Sequence, residues 1–153
     1  PNDNFDLKKS HFLPALITKI INNKKEKYKP IEIWGTGKPK REVMHVDDLA
    51  SAIYFVLNKK INKNKKLLRY IKETSVINVG SSQELNITGY AKIICKILNN
   101  KNKLVFNSNY PDGTMRKILD NSHIRSLGWK PKVKINEGLA QTISWYKNNI
   151  LKN

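Results

Sequence analysis

The sequence predicts an α/β fold, and three observations carry that expectation. Phe12, Leu16 and Ile20 recur at helical spacing near the start of the chain. Short runs rich in β-branched residues, 31–34 and 75–80, each give way to glycine. Helical and extended segments then alternate to the end without a repeat period, the pattern of a layered α/β unit.

Taken in order, residues 11–21 read as a helix. Ser10 is placed to cap it, and Pro14 falls in the first turn, where a missing N–H costs little. Residues 22–29 are polar and lysine-rich, hence a loop. Ile31-Glu32-Ile33-Trp34 reads as a short strand, and Gly35-Thr36-Gly37-Lys38-Pro39 as a turn. Glu42-Val43-Met44 is a second extended piece. The strongest helix signal covers 46–59, where Asp47 or Asp48 accepts from first-turn N–H groups and Leu49, Ile53, Val56 and Leu57 form one apolar stripe. Residues 59–72 are lysine-rich and read as a solvated insertion. Residues 75–80 read as a strand, 87–98 as a helix and 103–106 as a strand. Residues 110–117 read as an irregular loop, and 122–127 as a short helix with Gly128 at a left-handed C-cap. Residues 138–148 close the chain as a helix with Leu139, Ile143 and Tyr146 on one face.

Composition narrows the classes of function. The 153 residues suffice for one domain with a core, and no apolar run approaches the ~20 residues of a membrane span. A net charge of +17 invites a nucleic-acid reading. Against it, the basic residues are lysines interleaved with asparagines, and arginine stands only at 41, 69, 116 and 125. Base-reading surfaces favour arginine with stacking aromatics, so a solvated basic surface without nucleic acid is expected. The single Cys95 excludes an internal disulfide and fits a reducing compartment, the cytoplasm. Cys95 falls on an apolar helix face and reads as a buried structural thiol. The chain opens on Pro1 without an initiator Met or a signal-peptide layout, so it is expected to begin inside a longer protein.

Three polar segments carry more chemistry than connectors need. His11 stands at a helix N-terminus, where it reads either as a capping or surface histidine or as a proton donor. Trp34 precedes an open glycine turn, and Arg41 follows a proline-stiffened one. They read as a core indole and a surface cation, or as a flat wall with a guanidinium that grips a diphosphate in bidentate fashion. Pro111-Asp112-Gly113-Thr114-Met115-Arg116-Lys117 reads as an ordinary Asp-Gly turn, or as a loop whose cations serve phosphates and whose Asp112 accepts from sugar hydroxyls or a base edge. Neither Gly-x-Gly-x-x-Gly nor a P-loop occurs, so a complete nucleotide-binding Rossmann unit is not in this chain.

Together, Ser10-His11-Phe12-Leu13-Pro14-Ala15-Leu16, Trp34-Gly35-Thr36-Gly37, Arg41-Glu42-Val43-Met44-His45-Val46-Asp47-Asp48, Ile77-Asn78-Val79-Gly80, Pro111 to Lys117 and Leu127-Gly128-Trp129 resemble the C-terminal half of the GDP-L-fucose synthase family. That family lies within the extended short-chain dehydrogenase/reductases, the NAD-dependent epimerases and dehydratases. The resemblance covers nearly the whole chain. It implies that residues 1–153 are the C-terminal substrate-binding portion of such an enzyme. That portion is a small α/β substrate domain plus strands and helices that complete a Rossmann sheet, with residues 76–80 as one returning strand. The N-terminal cofactor-binding half is then absent.

The implied reaction converts GDP-4-keto-6-deoxy-D-mannose to GDP-L-fucose by epimerisation at C3 and C5 and reduction at C4 with NADP(H). By the same resemblance His11 is the acid partner and lies near the cofactor. Trp34, Arg41, Asp112 and Lys117 match substrate-binding positions. Lys19 falls where the family often carries arginine, keeping the charge without the fork. A homodimer is implied for the complete protein. The family's Ser and Tyr-x-x-x-Lys reduction residues and its catalytic cysteine match nothing here, so the chain alone is expected to be inactive. The competing expectations are another nucleotide-sugar epimerase or dehydratase, and a basic nucleic-acid-binding module.

Overall fold

The computed structural model describes residues 1–7, 9–58 and 65–152. Its elements alternate as expected: α1 (Phe12–Asn23), β1 (Ile31–Trp34), β2 (Lys40–Glu42), α2 (Val46–Asn58), α3 (Lys65–Thr74), β3 (Glu84–Asn86), α4 (Ile87–Leu98), β4 (Leu104–Asn107), β5 (Arg116–Lys117), α5 (Ser122–Ser126) and α6 (Ile135–Asn149). They form two compact units: Pro1–Arg41 with Leu85–Lys117 and Asn136–Asn153, and Glu42–Glu84 with Ile118–Ile135.

The first unit is built on a parallel pair. β1 runs beside β4 in the register Ile31↔Leu104 to Trp34↔Asn107. β1 alternates buried and exposed residues, so Ile31 and Ile33 enter the core while Glu32 and Trp34 face outward. Helix α1 supplies Ile17 and Ile20, and α4 supplies Tyr90 and Ile94, all fully buried. Burying each such side chain contributes roughly 1.5–3 kcal/mol. Asn86 caps α4 by accepting from the Gly89 amide at 2.8 Å, and Asn99 ends it in the left-handed region. Beyond α4, Asn100 donates to the Ile20 carbonyl, and Asn102 donates to Asn23, so the polar end of α1 is satisfied by amides rather than left open. Phe5 packs on Trp145 and Tyr146 of α6. A second, three-stranded sheet has the order β3-β2-β5, with Lys40 opposite Arg116 and Arg41 opposite Lys117 in parallel.

The second unit packs α2 and α5 around Ala52, Ile124 and Trp129, with Met44, Phe55, Val56, Ile77 and Val79 against them. Asp48 is buried at the start of α2. Its two oxygens accept from the Lys132 and Val133 amides at 2.9 and 3.0 Å. Glu42 likewise accepts from the Ser82 and Leu119 amides and from the Asn121 side chain.

Several expectations change. The N-cap of α1 is His11, not Ser10. His11 is extended and its side chain makes no capping bond, while Ser10 Oγ is buried without a hydrogen-bond partner among the described residues. A turn places the Ser10 amide on the Asp6 carbonyl and moves the helix start one residue on. The second extended piece is Lys40–Glu42, because the partner strand β5 offers only Arg116 and Lys117. β5 itself falls in a stretch read as irregular loop. Residues 75–80 join no strand among the described residues; they stay extended to pack Ile77 and Val79 on the Trp129 cluster, with no neighbouring ladder. Of the expected insertion at 59–72, residues 59–64 lie outside the described residues. The rest belongs to α3, where Arg69 pairs with Glu73 one turn on and Tyr70 packs edge-on against His123. The α2 stripe divides: Val56 packs on the cluster, whereas Leu49, Ile53 and Leu57 are 41%, 51% and 78% exposed. The last helix begins three residues earlier than its apolar face suggested.

Candidate functional site

The site is built on the outward face of the first unit, where β1 hands over to β2. Gly35 and Gly37 both take positive φ, +74° and +71°, which lets the chain turn sharply after Trp34. A Cβ at Gly35 would sit 2.3 Å from Asp112 Oδ1, so the turn admits the aspartate only because that residue is glycine. Asp112 Oδ1 accepts from the Thr36 amide at 2.9 Å, and Oδ2 accepts from the Thr36 hydroxyl. These bonds hold its carboxyl below the ordinary range. The two polar loops, far apart in sequence, are therefore clamped together.

Arg41 fastens the same loops one step further along. Its Nη1 donates to the Lys40 carbonyl at 2.8 Å and to the Thr114 carbonyl. Among the described residues its hydrogen bonds are made through Nη1. The Arg41 carbonyl in turn accepts from the Tyr90 hydroxyl at 2.8 Å, which ties β2 to the buried α4. Thr88 reinforces this by donating its amide and hydroxyl to the Gly37 carbonyl, each at 3.1 Å.

Across the parallel pairing, Lys40 faces Arg116 and Arg41 faces Lys117. Like charges directly opposite on neighbouring strands repel. Successive strand residues point to opposite faces, so Arg41 and Lys117 share one face of this sheet and Lys40 and Arg116 the other.

Trp34 is not the core indole that one sequence reading allowed: it is 56% exposed. Its Nε1 donates to Glu32 Oε1 at 3.0 Å, and its ring stacks on Tyr110 at 4.3 Å between centroids and 12° between planes. Lys19 Nζ stands 4.9 Å from the Trp34 centroid and donates to the Glu32 carbonyl at 3.0 Å. Burial pushes the Lys19 ammonium below its ordinary pKa, and the Glu32 charge partly opposes this. Together with Leu7, Phe12, Ala15, Leu16, Ile33 and Ile87, these residues line a mostly apolar groove of about 270 Å³.

Contacts and strand pairing link five of the six candidate residues: Lys19 stands over Trp34, Trp34 stacks on Tyr110 of the loop that carries Asp112, Thr114 of that loop accepts from Arg41, and Arg41 pairs with Lys117. His11 is exposed at the head of α1; its neighbour Phe12 lines the groove and His11 does not. Asp112 braces the loop: each of its oxygens accepts once from Thr36 and keeps a further lone-pair site.

Sequence reasoning missed Glu32, Thr36, Tyr90 and Tyr110. Thr36 stood between two glycines beside Trp34, and Glu32 shares the exposed parity of Trp34 on one strand, which were the available signals. Cys95 is half-buried rather than buried, in a depression with Lys92, Lys96 and Phe106; burial pushes its thiol up, away from reactivity. Among the described residues no cluster of His, Cys, Asp or Glu suits a metal ion, and no helix is long and apolar enough to cross a membrane.

The chain is similar to known proteins over nearly its whole length. GDP-L-fucose synthase 1 of Arabidopsis thaliana is 41% identical over 150 residues, covering 98% of this chain and 43% of that protein. The chain therefore spans less than half the length of that relative. A solved GDP-6-OMe-4-keto-L-xylo-heptose reductase from C. jejuni superposes with a TM-score of 0.75 at 32% identity, over 96% of this chain and 50% of that one. MlghC, a GDP-mannoheptose C4 reductase from Campylobacter jejuni with NADP bound, gives 0.70 at 32% identity, over 95% and 49%. The sequence model of the NAD dependent epimerase/dehydratase family matches residues 1–80, and the chain belongs to that family.

Proposed function

We propose that this chain forms the sugar-nucleotide-binding part of a GDP-sugar epimerase/reductase. In the complete protein the reaction is conversion of GDP-4-keto-6-deoxy-D-mannose to GDP-L-fucose, by epimerisation at C3 and C5 and NADPH-dependent reduction at C4. The observation that carries this reading is the register of β2 and β5, which sets Arg41 opposite Lys117 in the same unit as a groove lined by Phe12 and Trp34. A diphosphate between Arg41 and Lys117 offsets their mutual repulsion and accepts the bidentate geometry of Arg41. Names of relatives support the nucleotide and the chemistry: each carries a GDP-sugar in its name, and two are reductases.

Within this reading Arg41 and Lys117 hold the diphosphate, Trp34 and Lys19 form the wall of the groove, and Asp112 fixes the loop that presents them. His11, exposed and making no capping bond, is the proton donor to the epimerising carbons. NADP(H) is not held by the described residues alone. β1 passes through Gly35 and Gly37 into another strand, so no ring of helix N-terminal amides is formed there for a pyrophosphate. The cofactor, the reduction residues and the homodimer interface are assigned to the remainder of the protein, which works in the cytoplasm.

The test is turnover of GDP-4-keto-6-deoxy-D-mannose with NADPH by the complete protein and by the 153-residue chain. Activity in the first and none in the second is expected. Complete protein that turns over only a UDP- or dTDP-sugar would replace the substrate assignment.

A further inference from the structure

The groove beside Trp34 has the composition of a nucleobase pocket, and one of its residues bears on which base enters. Phe12 offers an aromatic ring, Trp34 borders the groove with its ring held by Tyr110 and Lys19, Ala15, Leu16 and Ile87 supply aliphatic surface, and Lys19 and Glu32 are the charged groups among the lining residues. Glu32 is the one carboxylate among them. Its position is fixed from three directions. The strand register holds its backbone opposite Val105, its carbonyl accepts from Lys19 Nζ at 3.0 Å, and its Oε1 accepts from Trp34 Nε1 at 3.0 Å.

An ionised carboxylate only accepts, and its two oxygens offer about four lone-pair sites. The indole occupies one, leaving acceptor capacity directed from the same strand face that presents Trp34. Guanine, unlike adenine, cytosine or uracil, carries two adjacent donors on one edge, N1–H and the 2-amino group. A carboxylate that accepts from both makes charge-assisted bonds, which are stronger than neutral ones. Asp112, the other acid near the site, has both oxygens engaged by Thr36.

We propose that Glu32 selects guanine, by accepting from its N1–H and 2-amino group while the ring stacks in the groove. The proposal rests on the GDP-sugar reading above and adds the residue that enforces it. Trp34 and Glu32 then act as a pair. The indole N–H steers the carboxylate, and the carboxylate holds the indole against the groove.

The experiment is titration of the chain with GDP, IDP and ADP, read by isothermal calorimetry, for the unsubstituted protein and for Glu32→Gln and Glu32→Ala, with circular dichroism confirming that each is folded. IDP keeps N1–H and lacks the 2-amino group. The unsubstituted chain is expected to bind GDP about tenfold more tightly than IDP, and ADP more weakly still, as loss of a bond to a charged acceptor implies. Glu32→Gln retains an amide oxygen for Trp34 Nε1 but presents a donor to the base, so it is expected to bring GDP down to the level of IDP. Glu32→Ala removes the preference as well. A GDP-to-IDP ratio unchanged in both variants overturns the assignment of Glu32 while leaving the GDP-sugar reading intact. Absence of GDP binding by the unsubstituted chain counts against the GDP-sugar reading itself.

Discussion

Asp112 illustrates how one side chain joins two distant loops. Both oxygens accept from Thr36, and this lowers the carboxyl pKa below its ordinary 3.8. A group whose folded pKa is depressed contributes stability that is present above the unfolded value and lost as pH falls through the folded one. The clamp is therefore intact at neutral pH and is lost only as pH falls through the lowered carboxyl pKa. A carboxyl-detected NMR titration is expected to place Asp112 below the ordinary range, and Thr36→Val is expected to move it back up. The sequence made Trp34, Arg41, Asp112 and Lys117 visible as candidates, because tryptophan, arginine and Asp-Gly are conspicuous between apolar runs. The partnership of Asp112 with Thr36 was not legible. It depends on a turn with two positive-φ glycines that brings residues 36 and 112 within 3 Å. The stack of Trp34 on Tyr110 was hidden for the same reason: side-chain pairing across 76 positions has no local signature.

At the scale of elements, the helices were legible and the strands only partly so. α1, α2, α4 and α6 announce themselves through 3.6-residue periodicity over 12 to 15 residues. β2, β3 and β5 hold two or three residues each, too few for a period-two pattern, and exist because a neighbour accepts their ladder bonds. Residues 75–80 show the converse: strand-like composition without a partner.

Two buried polar anchors hold these elements in place. Asp48 joins the start of α2 to the amides of Lys132 and Val133. Asp48→Ala is expected to cost about 3 kcal/mol in urea denaturation, since two part-buried N–H groups lose a charged acceptor. Tyr90 is fully buried and donates to the Arg41 carbonyl. Tyr90→Phe is expected to cost about 1 kcal/mol and to speed hydrogen exchange along 38–42, because β2 loses its tie to α4.

At the scale of the whole molecule, the charge and the uncovered apolar surface are set by different physics. The excess of +17 is spread over lysine-rich segments, and its ordered part is the pairing of Lys40 and Arg41 with Arg116 and Lys117. Leu49, Ile53 and Leu57 line the outer side of α2, although helices apolar on every side are normally buried. The isolated chain is therefore expected to melt broadly and at low temperature in scanning calorimetry; a sharp, high-temperature, cooperative transition would speak against this. Family membership was legible from ordered motifs. Which base the groove prefers was not, because Glu32 acquires meaning only once β1 sets it beside Trp34 in the groove.

The account turns on the claim that Arg41, held by Thr114 and Tyr90 and paired with Lys117, grips a diphosphate. It is tested most directly by measuring the affinity of the chain for GDP and for guanosine, with and without Arg41→Ala. Weakening of GDP by about tenfold with guanosine unaffected is predicted, the loss of one charge-assisted contact. Equal GDP affinity in the two proteins would contradict it.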